Sequence, residues 1–169
     1  MADYKDPENT LIIETTKGKV VIEMRPDLAP GHVEQIKKLA REGAYDGVVF
    51  HRVIDGFMAQ TGDVGNGNAN KGDTSRAGTG GSKYPDLKQE FSAEPHVRGT
   101  ASMARAQNPN SANSQFFICF DDARFLDRQY TVWGKVIEGM ENVDKIKRGE
   151  PVRDPDKMLT VRVAADEAA

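Results

Sequence analysis

A chain of 169 residues with a net charge of −3 and a 38 % hydrophobic fraction suits one domain around one core. The small negative charge and the lack of a dominant basic patch argue against nucleic acid as the main partner. No apolar run reaches membrane-spanning length, and the single cysteine, Cys119, permits neither an internal disulfide nor a cysteine-rich zinc site.

Residues 1–9 read as a flexible arm and 10–165 as a single domain without repeat or linker. The start, Met1 to Asp6, is polar and acidic and lacks the apolar core of a signal peptide, so the expected location is the cytoplasm. Leu11 to Thr16 and Lys19 to Met24 predict a β-hairpin around Lys17-Gly18. Pro26 and Pro30 mark its exit. Val33, Ile36, Leu39 and Ala40 recur at helical spacing and predict an amphipathic helix over 32–42, stopped at Gly43, that closes a sheet or barrel.

Two strands are expected next, over 47–54 and 57–61, joined at Asp55-Gly56, a turn signal because glycine accepts a positive φ. Alternation places His51, Val53 and Asp55 on one face, and Phe50, Arg52 and Ile54 on the other. Met58 and Gln60 share a face. An arginine among apolar groups is costly unless its donors find acceptors. Either Arg52 pairs with an acid such as Asp55 or Glu90, or it lies over a hydrophobic pocket and donates to a ligand carbonyl.

The glycine-rich segment from Val64 to Gln89 is long enough to be either functional or disordered. Gly65 to Asn70 imitates a phosphate-binding fingerprint but ends in asparagine, with no helix pattern behind it. Asp63 and Asp73 lack the alternating acids of a calcium loop. Strands are expected at 98–104, 115–120, 130–136 and 157–164, with a polar turn at 108–113. Met140, Val143 and Ile146 predict a short second helix that ends at 147–149. Cys119 lies in the apolar run 116–120 and reads as a buried, inert thiol. Trp133 reads as a packing residue.

Six pieces in fixed order resemble the cyclophilin family: FHRVIDGFMAQTGD at 50–63, GTGGSKYPDLKQEF at 78–91, ASMARA at 101–106, SQFFI at 114–118, FLD at 125–127, and Val132 to Met140. The resemblance sharpens a mainly β fold to a closed eight-stranded antiparallel barrel with a helix over each end. It implies a cofactor-free and metal-free peptidyl-prolyl cis-trans isomerase. Rotation about an Xaa-Pro bond meets a barrier of ~18–20 kcal/mol and breaks no covalent bond. The catalyst therefore needs only to bind the twisted amide better than either planar form.

On this resemblance Arg52 is the catalytic cation, and Gln60 holds it and touches the substrate backbone. Phe57, Met58, Phe117 and Leu126 form the proline pocket, while Phe116, Ile118 and Phe120 belong to the core. Ala104, Arg105 and Ala106 offer a backbone edge to the peptide, Gln115 assists on its N-terminal side, and Gly78 borders a neighbouring pocket. Three positions depart from the best-known members. Phe125 replaces a tryptophan that contacts cyclosporin, so that ligand is expected to bind weakly. Tyr130 replaces a histidine on the pocket wall. Arg105 replaces an asparagine, and its side chain could favour acidic substrates. His51 is expected to be structural, since isomerisation needs no proton transfer. The expected partners are proline-containing peptides and unfolded or folding proteins, with no nucleic acid or membrane, and the expected state is a monomer. A chaperone-like binding module of the same fold is the alternative. A metal hydrolase built on His51, Asp55 and Asp63 lacks metal-ligand spacing.

Overall fold

A computed structural model describes residues 4–167. Eight strands, β1 (Thr10–Thr15), β2 (Gly18–Met24), β3 (Arg52–Ile54), β4 (Met58–Thr61), β5 (Thr100–Met103), β6 (Phe116–Cys119), β7 (Val132–Glu138) and β8 (Met158–Val163), form one antiparallel sheet. Their spatial order is β3-β4-β6-β5-β7-β2-β1-β8. The sheet curls into a half-barrel, so the closed barrel expected from the resemblance is overstated. Its two edge strands, β3 and β8, share no ladder. Instead, isolated bridges span the gap at Val49↔Lys157 and Val53↔Gly149. The cause is local: β3 has only three residues before the Asp55-Gly56 turn, and Pro151 and Pro155 remove donors from the segment that approaches it.

Alternation along the strands makes two layers. Val53, Ala59, Ile118 and Ala101 are successive cross-strand partners in β3, β4, β6 and β5, and all four are buried in the main core. The adjacent row, Arg52, Gln60, Phe117 and Ser102, therefore faces the opposite side of the same strands. There a second apolar cluster gathers Met58, Phe117, Cys119, Ala123 and Leu126, with Ile54, Phe57, Ala104 and Tyr130 packed on it. Phe50 joins the main core with Val53, not the face of Arg52. The strand begins only at Arg52, so period-two alternation does not extend back to it.

Helix α1 (Pro30–Arg41) buries Val33, Ile36, Leu39 and Ala40, as its spacing predicts. Pro30 suits its first turn, and Lys38 and Arg41 complement the dipole at its end. Ala29 offers no side-chain cap; instead Glu90 accepts from the N–H groups of Gly31 (3.2 Å) and His32 (2.9 Å). The second helix, α2 (Met140–Val143), is a single turn and stops short of Ile146. It starts after Gly139, whose φ is +88° and where a Cβ would lie 2.0 Å from the Lys19 carbonyl oxygen, so only glycine fits. A further short helix, α3 (Ala164–Glu167), follows β8. Within the segment expected as an arm, Pro7–Asn9 form a 3₁₀ turn, and Glu8 pairs with Lys37 (2.5 Å) and Arg41 (2.9 Å) on α1. Residues 1–3 of that segment lie outside the described residues.

Candidate active site

The second apolar cluster opens as a cavity of about 140 Å³, lined by Arg52, Phe57, Met58, Gln60, Ala104, Arg105, Phe117, Leu126 and Tyr130. Phe117 meets Tyr130 edge-on at 5.9 Å, and Phe57 carries Phe125 at 5.6 Å on the outer rim. Phe125 is 67 % exposed. Arg52 lines the cavity and is held there by an acid and an amide. Its Nε donates to Glu150 Oε2 at 2.5 Å and its Nη1 to Gln60 Oε1 at 3.5 Å. The acid is thus neither of those named from sequence: Asp55 pairs with Arg148 (3.1 Å), and Glu90 binds His32 (2.6 Å) and the α1 N-terminus. Glu150 reaches Arg52 because Val53 and Gly149 exchange two backbone hydrogen bonds of 2.8 Å, which set the neighbouring residues side by side.

A larger groove of about 640 Å³ adjoins this cavity, sharing Gln60, Ala104 and Arg105 with it and extending past Gly78, Gly80, Asp86 and Gln115. Gln60 Nε2 donates to Gln115 Oε1 (3.1 Å), and Gln115 Nε2 donates to the carbonyls of Gly78 (3.1 Å) and Gly80 (2.9 Å). The Gln115 amide is therefore held between Gln60 and the two glycine carbonyls, on the wall of the groove. On the backbone edge, Ala104 N–H is taken by the Gln115 carbonyl and Ala106 N–H by Ser111 Oγ. Among the described residues the Arg105 N–H and the carbonyls of Ala104 and Arg105 have no protein partner, so this edge still offers one donor and two acceptors. The Arg105 side chain does not wait for acidic substrates. Its donors bind the carbonyls of Gln129, Ala106 and Gln107, and its guanidinium lies 4.6 Å over the Tyr130 ring. It braces the pocket wall.

Three groups escape the sequence pattern. Glu150 has no local signal and lies far along the chain. Asp63 is fully buried and accepts hydrogen bonds from four backbone N–H groups of the glycine-rich segment. His96 lies under Phe117 (6.3 Å, stacked), with Nε2 at 2.8 Å from Ser102 Oγ and Nδ1 at 3.0 Å from Asp127 Oδ1. This Ser-His-Asp array has the contacts of a nucleophile, but Ser102 is completely buried beneath the pocket floor and cannot meet a substrate. His51 is buried behind Gly78, and burial holds its pKa below the usual histidine value. Cys119 is buried, and burial followed by the nearby charge of Asp127 pushes its thiol up to about 12.

Residues 10–165 match the family model for cyclophilin-type peptidyl-prolyl cis-trans isomerases. The chain is 64 % identical over 171 residues to a probable peptidyl-prolyl cis-trans isomerase of Brucella suis biovar 1, covering 98 % of this chain and 87 % of that one. It is 42 % identical to a peptidyl-prolyl cis-trans isomerase of Helicobacter pylori, over 82 % and 80 % of the two chains. Among solved structures it is similar to a cyclophilin from Hirschia baltica, with a TM-score of 0.84 and 34 % identity over 95 % of this chain and 76 % of that one. It is also similar to a Cryptosporidium parvum cyclophilin-type isomerase crystallised in the presence of the dipeptide Ala-Pro, with a TM-score of 0.78 and 25 % identity over 91 % and 98 %. The chain belongs to the cyclophilin-type peptidyl-prolyl cis-trans isomerase family. Its activity is the cofactor-free, non-covalent rotation of Xaa-Pro peptide bonds; binding without turnover is not the favoured reading.

Proposed function

We propose that this isomerase acts on exposed Xaa-Pro bonds in peptides and in unfolded or folding chains, with Arg52 as the catalytic cation. The observation that carries the proposal is a guanidinium held from two sides, by Glu150 and Gln60, against a small apolar cavity. At about 140 Å³ the cavity is below the roughly 300–1,000 Å³ of sites for drug-sized ligands and suits one ring-sized side chain. The proline ring enters between Phe117, Met58 and Leu126. As the amide twists, its nitrogen lone pair is released from resonance, and the Arg52 donors not used by Glu150 and Gln60 stabilise it. The preceding residues pair with the Arg105 N–H and the Ala104 carbonyl and run towards the larger groove. The solved relative crystallised with Ala-Pro supports a proline-peptide ligand. Cyclosporin binds weakly, because the single ring of Phe125 offers less surface than an indole at this rim.

The test is the cis–trans exchange rate of a short Ala-Pro peptide by NMR, with the wild-type protein and with Arg52→Ala. Acceleration that falls at least tenfold, about 1.4 kcal/mol or more, in a folded mutant is the expected result. Equal acceleration by both proteins removes Arg52 from the mechanism.

A further inference from the structure

We infer that Asp63 is a positioning residue whose carboxylate fixes the glycine-rich loop, and that the loop in turn fixes the direction of an amide relay ending on Arg52. The inference rests on the reading of Arg52 as the catalytic cation. Asp63 is completely buried, and no lysine or arginine among the described residues forms an ion pair with it. A buried carboxylate without a cation needs hydrogen-bond donors, and here the backbone supplies them. Oδ1 accepts from the N–H groups of Gly65 (3.1 Å) and Asn66 (2.8 Å), and Oδ2 from those of Gly78 (2.8 Å) and Gly80 (2.9 Å). Both oxygens thus receive two donors each, near the capacity of a carboxylate. The fit is tight. A Cβ at Gly80 would stand 2.7 Å from Asp63 Oδ1, and Gly78 has a φ of +101°. One side chain thereby ties the beginning of the loop to its end.

The consequence is directional. The carbonyls of Gly78 and Gly80 can only accept, so Gln115 must turn its NH₂ towards them and its Oε1 towards Gln60. Gln60 must then donate to Gln115, which leaves its Oε1 facing Arg52 Nη1. If either amide flipped, donor would face donor. With the loop fixed, Arg52 always meets an acceptor at Gln60, which steers its guanidinium without consuming all of its donors. Asp63 does not touch substrate; it acts through Gly78, Gly80, Gln115 and Gln60.

The experiment compares Asp63→Asn, Gln115→Met and the double variant by Ala-Pro exchange NMR, with the side-chain amide signals of Gln60 and Gln115 followed in the same samples. Asparagine keeps the volume but aims an NH₂ at two backbone donors, so it cannot hold both ends of the loop. The expected result is a loss of about tenfold in acceleration for Asp63→Asn, the scale of one hydrogen bond to a charged group. Gln115→Met should match it, and the double variant should be no more than about twofold worse than either single one. Shifted Gln60 and Gln115 signals in Asp63→Asn are expected as well. Multiplying losses, an unchanged rate or unmoved amide signals would overturn the inference. If Asp63→Asn does not fold, Gln115→Glu decides: it spares the Asp63 cradle but presents acceptors to two carbonyls, and full activity there overturns the relay. Amide signals that move as expected while Arg52→Ala stays fully active would sink the catalytic arginine but leave the relay standing.

Discussion

Arg52 takes its closest contact from Glu150, and the two side chains are 42 % and 57 % exposed. A pair that open to solvent contributes little to stability, about 0–1 kcal/mol. Its effect belongs to orientation. Glu150→Gln should lower kcat/KM by about threefold while moving the melting temperature by no more than a degree or two, as steady-state kinetics and a thermal scan would show. An unchanged kcat/KM would assign the Arg52 geometry to Gln60 alone. At the same scale, Cys119 should resist iodoacetamide at pH 8 in the native protein and react only after unfolding, because its thiol pKa is pushed up to about 12. Rapid native labelling, read by mass spectrometry, would contradict its burial. Arg52, Phe57, Met58, Gln60 and Phe117 were legible in the sequence because the ordered motifs that resemble the cyclophilin family place them at the pocket. Glu150 was not, since its link to Arg52 spans 98 residues and depends on the bridge at Gly149. Nor were the intramolecular partners of Arg105, which are carbonyls that only the folded loop presents.

Among the elements, α1 shows how a local pattern can be complete in one respect and silent in another. Its apolar spacing gave the buried face, but nothing near Ala29 announced that Glu90 would serve as the cap. Glu90→Ala leaves two N–H groups at the helix start, and the buried His32 ring, without their acceptor. The expected cost is about 1–3 kcal/mol, seen as a lower urea midpoint with an unchanged slope. A midpoint within error of wild type would mean that water replaces the carboxylate. Strand positions were readable, whereas strand lengths were not. Residues 47–51 have the composition of a strand, yet Val48 and Val49 make only isolated bridges, to Asn68 and Lys157. Composition reports which residues can be buried on a pleated surface, not whether a neighbour with free donors lies alongside. The helix expected through Ile146 fell to one turn for the same reason: its apolar side chains reach the core from a turn as well as from a helix.

For the molecule as a whole, the three histidines weaken the fold first as the pH drops below neutral, ahead of the paired carboxylates. His32, His51 and His96 are all buried, and burial lowers the pKa of each in the folded chain. Their unfolded value is near 6.5, so the unfolded chain binds protons first as the pH drops. The stability they favour is complete above about pH 6.5 and is lost as the pH falls towards their folded values. Urea unfolding at pH 7.5 and pH 5.0 should give the lower midpoint at pH 5.0; equal midpoints would mean that the folded histidines charge as readily as free ones. The open seam between β3 and β8 has a different kind of consequence. The segment that carries Glu150 adds no strand to the sheet and reaches the site through the bridge to Val53 and a hydrogen bond from the Val152 N–H to the His51 carbonyl. A substitution in this stretch can therefore change the charge beside Arg52 without breaking a ladder of the sheet. The seam is thus the part of the molecule where a change of charge at the cavity is separable from a change of scaffold.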